Sequence, residues 1–300
     1  MRRRKFLALA SPLAALSCKP APPVAQTEPS HLGKPVKPLG ERSPFEKAAR
    51  WSRTTKTPEA ASSMTPLQDS HGILTPASLH FERHHSGVPN IDPAAHRLLI
   101  HGLVERPLVL SVDEIRRLPS VSRVHFIECA GNSGSEWGPK TAPDAQRSHG
   151  LASCSEWTGV LLSVILAEAG IKRDATWLVA EGADPCKMSR SIPVSKAMDD
   201  VMLAYAQNGE AIRPEQGYPL RLVVPGWEGN ICVKWLHRIK AADQAYMTKD
   251  ETSKYTDLMA DGAARQFTFV MDAKSVITYP SGGQKLRGPG FYEISGLAWS

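Results

Sequence analysis

HFIECAGNSGSEW, residues 125–137, ends an apolar run in a thiol and then bares its backbone. Val121 to Ile127 alternates as a strand does, which places Cys129 at the strand end. Ala130, Gly131, Asn132 and Ser133 follow. Small residues there permit positive φ and let a bulky group approach the main chain. Three chemistries compete for such a thiol. A cysteine nucleophile needs a histidine base, for which His125 and His149 are candidates. A core cysteine needs neither Gly131 nor Asn132. A single-thiolate metal site needs its remaining ligands from a cofactor, because no His/Asp/Glu cluster stands nearby at ligand spacing.

The rest of the chain narrows the class. Five cysteines occur, at 18, 129, 154, 186 and 232, and none forms a CxxC pair, which argues against a structural zinc site. Cys154, Cys186 and Cys232 read as buried small hydrophobes or disulfide halves. The net charge of +6 is concentrated at the front: residues 1–60 carry 12 Lys/Arg and 4 Asp/Glu, and the remainder carries 24 and 26. The body is therefore close to neutral, which argues against nucleic-acid binding, since that requires a basic face. With 300 residues there is room for one large domain or two smaller ones.

Residues 1–18 read as an export signal: Arg2-Arg3-Arg4 precede a short apolar stretch that is too short to span a bilayer. Arg3-Arg4-Lys5-Phe6-Leu7 resembles the twin-arginine signal, which exports folded proteins to the periplasm; an ordinary secretory signal is the alternative. The run 14–18 has a faint likeness to a lipoprotein cleavage box at Cys18. Residues 19–75, rich in proline, Lys, Ser and Thr, are expected to be a disordered linker. Beyond it, strands are expected around 96–104, 121–127, 175–181 and 220–226. A short helix with a capping box is expected from Ser111 to Leu118, another over Thr158–Ala169 that stops at Gly170, and a third near 195–202. The mixture lacks a βαβ rhythm, so the predicted class is α+β.

ECAGN at 128–132 resembles the cysteine motif of the sulfite oxidase family of molybdenum enzymes. FERHHSGVPNIDP at 81–93, SEWTGVLL at 155–162, LAYAQNGEAIRPEQGYPLRLVVPGWEGN at 203–230 and VKWLHRI at 233–239 are similar to other family segments in the same order. CAGNSGSEW, PGWEGN and ETSKYTDL are most similar to its sulfane dehydrogenase branch, from the bacterial thiosulfate-oxidising (Sox) system. The resemblance implies a molybdopterin-binding domain over 76–255 and a molybdenum–molybdopterin cofactor. Cys129 would be the protein ligand to the metal. Phe81, Glu82, Arg83, His84, His85, Asp184, Gln216, Arg221, Cys232, Val233 and Lys234 would bind the cofactor. Arg83, Arg221 and Tyr255 would act on the substrate.

The departures matter. Ser133-Gly134 stand where sulfite oxidases commonly carry Arg-Arg, and Gln216 and Cys232 stand where relatives have His. These changes suit a larger or less charged substrate, such as sulfane sulfur on a carrier protein, with sulfite as the alternative. No haem-attachment motif or b-type cytochrome domain precedes the cysteine motif, so a c-type cytochrome is the expected electron acceptor. A non-catalytic subunit without cofactor is the alternative of another class. The resemblance also implies that 256–300 begins an immunoglobulin-like β-sandwich through which relatives dimerise. Phe291–Ser300 is expected to supply only its first strand, with a bulge at Gly296, in a truncated chain that does not dimerise.

Overall fold

The computed structural model describes residues 33–53, 57–139 and 142–300. Two units separate, Met1–Glu46 and Lys47–Ser300. In the first, the described residues 33–46 are all exposed. The expected export signal at 1–18 and the first part of the linker lie outside the described residues.

In the second unit, order begins well before residue 76. Trp51–Arg53, Ser62–Met64 and Glu82–Arg83 form a three-stranded antiparallel sheet, with Thr65 and Leu67 buried beside it. The expectation of a linker up to 75 needs correcting there. Pro58 opens a 3-10 turn and Pro66 caps another, so these prolines shape turns between packed strands and do not keep the segment from packing.

Two five-stranded sheets carry the rest. The first runs in the order Glu210–Ala211, Met202–Gln207, Ala152–Leu161, Val121–Glu128, all antiparallel, and Arg221–Val223 also pairs with Met202–Gln207. The second runs Leu108–Ser111, Arg97–Gly102, Leu236–Ala242, Trp177–Gly182, Ser189–Pro193. Its only parallel pair is Arg97–Gly102 with Leu236–Ala242. One apolar cluster joins Leu98 and Ile100 of the second sheet to Trp157 and Val160 of the first, and to Leu162, Ile165, Leu166 and Ala169 of a helix. Antiparallel sheets with a few short helices make this an α+β fold.

Local chemistry sets the ends of elements. Ser111 Oγ accepts from the Glu114 amide and the Ser111 amide donates to the Glu114 carboxylate, a complete capping box for Val112–Arg116. The helix expected over Thr158–Ala169 begins later, at Leu162. Thr158–Leu161 continues the Ala152–Leu161 strand, because its backbone is paired on both sides, Val121 facing Gly159 and Leu203 facing Val160. The helix stops at Gly170, whose φ of +68° suits the left-handed cap. The helix expected near 195–202 is Val194–Asp199, and Met202 already belongs to a strand.

The C-terminal region is two hairpins, Thr256–Leu258 with Ala264–Gln266 and Lys274–Tyr279 with Ser295–Trp299. The strand expected over 291–300 is thus shorter and already paired. The irregularity lies opposite Gly296, where Thr278 is the extra residue between Ile277 and Tyr279. Among the described residues, no helix is long and apolar enough to cross a membrane.

Gly102 closes its strand at φ +92°, and a Cβ there would sit 2.1 Å from the Ala241 carbonyl oxygen. Gly102→Ala is expected to cost about 1–3 kcal/mol through strain and overpacking. Chemical denaturation checks this, and an unchanged midpoint would contradict the packing described.

Candidate active site

The Val121–Glu128 strand delivers Cys129 to a cavity. The Cys129 amide donates to the Leu151 carbonyl (2.9 Å) and its carbonyl accepts from the Asn132 amide (2.8 Å), which folds the small-residue loop back on itself. Ser133 takes a left-handed φ of +57°. Burial raises the thiol's pKa, while the Gly131 amide and the Arg83 charge pull the other way. All four described cysteines are free, including Cys154, Cys186 and Cys232.

The cavity wall gathers residues from distant segments. Phe81, Arg83, His84, His85, Cys129, Asp184, Gln216, Arg221, Cys232, Val233, Lys234 and Tyr255 all line it. Of the residues expected in the site, only Glu82 does not. Its carboxylate takes the His84 Nε2–H (2.7 Å) and pairs with Arg50. Burial works against that carboxylate, but the His84 hydrogen bond and the Arg50 charge outweigh it and its pKa is lowered.

Arg221 decides the electrostatics. It is 3% exposed, donates to the carbonyls of Gln216 (2.9 Å) and Cys232 (3.2 Å), and lies over the Trp157 ring at 4.8 Å. Its Nε has no partner. Burial lowers its pKa to about 10. Gln216 joins the same wall by donating to the Phe81 carbonyl at 2.8 Å. Lys234 donates to the carbonyls of Arg83 (3.2 Å) and Glu215 (3.0 Å) and to His84 Nδ1 (2.9 Å). Burial and the Arg221 charge bring Lys234 from 10.5 to about 7. The guanidinium of Arg83 donates to the His84 carbonyl. Among the described residues, no carboxylate lies within ion-pair distance of Arg83, Arg221 or Lys234.

Asp184 is buried, and its oxygens accept from the Met188 amide (3.2 Å), Ser86 Oγ (3.4 Å) and Cys186 Sγ (2.6 Å). Tyr255 stands under the Arg190 guanidinium, 4.4 Å from its ring centroid. Burial raises its pKa, and the neighbouring Cys129 adds to that.

His80 and Met188 also line the cavity but lie outside the quoted motifs, and Asn230 and Trp235 line it from within them without having been expected there. His80 is 1% exposed, with Nδ1 near the Phe81 carbonyl (3.1 Å) and Nε2 without a partner. Burial first, then the Arg221 charge, lowers its pKa to about 3, so it is neutral at pH 7. Its place directly before Phe81 is the one hint the sequence offers.

The donor set defines the class. Among the described residues, no three His, Cys, Asp or Glu side chains gather as a metal site, so a metal held by Cys129 would need further ligands from elsewhere. The buried Nε of Arg221 and Nε2 of His80 lack partners, and three cations without an ion pair outnumber the one carboxylate on the cavity wall, Asp184. That combination fits a large anionic cofactor which brings its own metal ligands. The site is that of a molybdopterin oxidoreductase.

Comparison with known proteins agrees. The model for the oxidoreductase molybdopterin binding domain matches residues 85–249, more than half of the chain, and the protein belongs to that family. It is 31% identical over 249 residues to mitochondrial sulfite oxidase of Rattus norvegicus, covering 77% of this chain and 45% of that protein. It is 34% identical over 198 residues to an NADH nitrate reductase of Ulva prolifera, covering 58% of this chain and 22% of the relative. The chain thus spans under half the length of these curated relatives. The crystal structure of the sulfane dehydrogenase SoxCD from Paracoccus pantotrophus matches with a TM-score of 0.89 and 47% identity, over 94% of this chain and 74% of that one.

Lys234 gives the site a pH signature. Its pKa is about 7 in the folded state against 10.5 ordinarily, so between those values the unfolded chain holds more protons. Stability of the cofactor-free protein should therefore rise with pH across that window. Lys234→Met should flatten the rise, read from denaturation midpoints at pH 7 and above; parallel curves for the two proteins would contradict the burial of this amine.

Proposed function

We propose that this protein is a periplasmic molybdenum enzyme that oxidises a reduced-sulfur substrate, sulfane sulfur on a carrier, and passes the electrons to a c-type cytochrome. The observation that carries the proposal is the convergence of Arg83, Arg221 and Lys234, none of them ion-paired among the described residues, on a cavity that holds the Cys129 thiol. Export in the folded state by the twin-arginine route belongs to the same reading. It rests on Arg3-Arg4 and the apolar stretch behind them.

When bound, molybdenum–molybdopterin supplies the two-electron redox couple and the oxygen-transfer chemistry. The rest falls to the chain. Cys129 is the thiolate to the metal. Arg221, Lys234, Asp184, Gln216, Val233, Cys232 and the 81–85 segment hold the cofactor, and Glu82 acts through His84. The planar fork of Arg83 suits an anionic substrate group. The raised pKa of Tyr255 keeps its O–H protonated across the working range, so it orients the substrate as a hydrogen-bond donor. Burial keeps His80 neutral, so it adds no cation to the site at pH 7.

Sulfite is the second candidate substrate, favoured by the same compact cationic wall. Ser133 and Gly134 beside the thiol carry no charge, which favours the larger sulfane group. Turnover of carrier-bound sulfane and of sulfite by the loaded enzyme, with cytochrome c as acceptor, separates them. Faster turnover of the sulfane substrate is expected. Sulfite turnover alone would make this a sulfite dehydrogenase, and no turnover of either would leave a non-catalytic subunit.

Two substitutions test the residue roles. Cys129→Ser exchanges a soft thiolate for a poor ligand of similar size, so turnover should vanish while the fold stays; activity within about twofold of wild type would remove Cys129 from the metal. Arg83→Gln loses a charge-assisted contact worth about 1.5–3 kcal/mol, which predicts a fall in kcat/KM of about tenfold or more. An unchanged value would make Arg83 a bystander.

A further inference from the structure

Glu128 stands directly before Cys129 and is 0% exposed. A carboxylate in that position needs donors for both oxygens. Its Oε1 accepts from Lys274 Nζ (2.7 Å) and from Asn132 Nδ2 (2.9 Å), and its Oε2 accepts from the indole N–H of Trp299 (2.6 Å). Lys274 and Trp299 face each other in the register of the Lys274–Tyr279 and Ser295–Trp299 hairpin. One rung of that hairpin therefore grips one carboxylate.

The grip extends into the loop that carries the thiol. Asn132, held by Glu128, also accepts from the Leu151 amide through Oδ1 (3.0 Å), and Leu151 accepts the amide of Cys129 (2.9 Å). Lys274 Nζ reaches Ser133 Oγ at 3.4 Å. Ala130 and Gly131 have no polar side chains with which to fix the loop, so its side-chain anchors are Glu128, Asn132 and Ser133. Lys274 and Trp299 lie beyond the matched domain, which ends at residue 249.

We infer that the C-terminal hairpin is a clamp on the thiol loop, in which Lys274 and Trp299 are positioning residues that set the direction of Cys129 through Glu128. Removal of either donor leaves a buried carboxylate short of a partner and frees the loop without touching the cavity wall. The consequence for turnover rests on the proposed role of Cys129; the consequence for the loop does not.

Hydrogen exchange by mass spectrometry on the full chain tests the clamp. Lys274→Met and Trp299→Phe should speed exchange of the amides at 129–133 by about tenfold, as local opening does, with the Leu236–Ala242 strand unchanged. Lys274→Arg should stay within about twofold of wild type, because it restores the charged donor. In the loaded enzyme, Lys274→Met should lower kcat several-fold with KM little changed. Equal exchange in wild type and Lys274→Met would overturn the clamp, as would loosening shared equally by the Leu236–Ala242 strand. Faster exchange with unchanged kcat would overturn the positioning role. If Lys274→Met does not fold, Trp299→Phe decides the same question, since it removes one N–H and no charge. A wild-type enzyme without turnover contradicts the proposed activity instead, and the exchange result still judges the clamp.

Discussion

A guanidinium held inside a protein with no carboxylate beside it is the constraint around which this site is built. Arg221 is 3% exposed and spends its donors on the carbonyls of Gln216 and Cys232 and its face on Trp157. Carbonyl dipoles and a ring face offset part of the desolvation of a cation; they do not neutralise it. Arg83 adds a second positive charge to the same wall and Lys234, when protonated, a third. A buried surplus of that kind is stable at modest cost only if an anion completes it, which ties the electrostatics of the apo fold to its ligand.

The neighbouring groups adjust to that surplus. His80 gives up its proton, and Lys234 titrates near neutrality. Farther out, Arg50, Glu82 and His84 form a chain of contacts that ends on the Lys234 amine. Arg190 is treated differently: it is as deeply buried as Arg221, yet it is paired with Glu251 at 3.0 Å and offers its face to Tyr255. Two buried arginines, one neutralised and one not, divide the region into a structural support and a ligand-binding wall.

Local structure was legible where its cause was local. Ser111 and Glu114 announce a capping box three residues apart, and Gly170 announces a left-handed cap. The stretch Thr158–Leu161 misled because its apolar spacing suits a helix, while strand partners remote in sequence decide its backbone. Prolines 58 and 66 read as linker, yet they shape turns between packed strands. The site was legible only through motif resemblance. Residues 81–85, 129, 184, 216–221, 232–234 and 255 come together by tertiary packing, which no periodicity encodes. Glu82 shows the limit: it sits within a cofactor motif, but its side chain turns to Arg50. Lys274 and Trp299 stand in no motif, and only the fold brings them to Glu128.

The central claim is that Cys129 and the cations around it form a molybdenum site. Metal analysis of the full chain, purified from a host that makes molybdopterin, tests it most directly. The account predicts about one molybdenum per chain in the wild type and little in Cys129→Ser, since in this reading the Cys129 thiolate is the metal's protein ligand. A folded wild-type chain without molybdenum, or a Cys129→Ser chain that holds as much as the wild type, would contradict it.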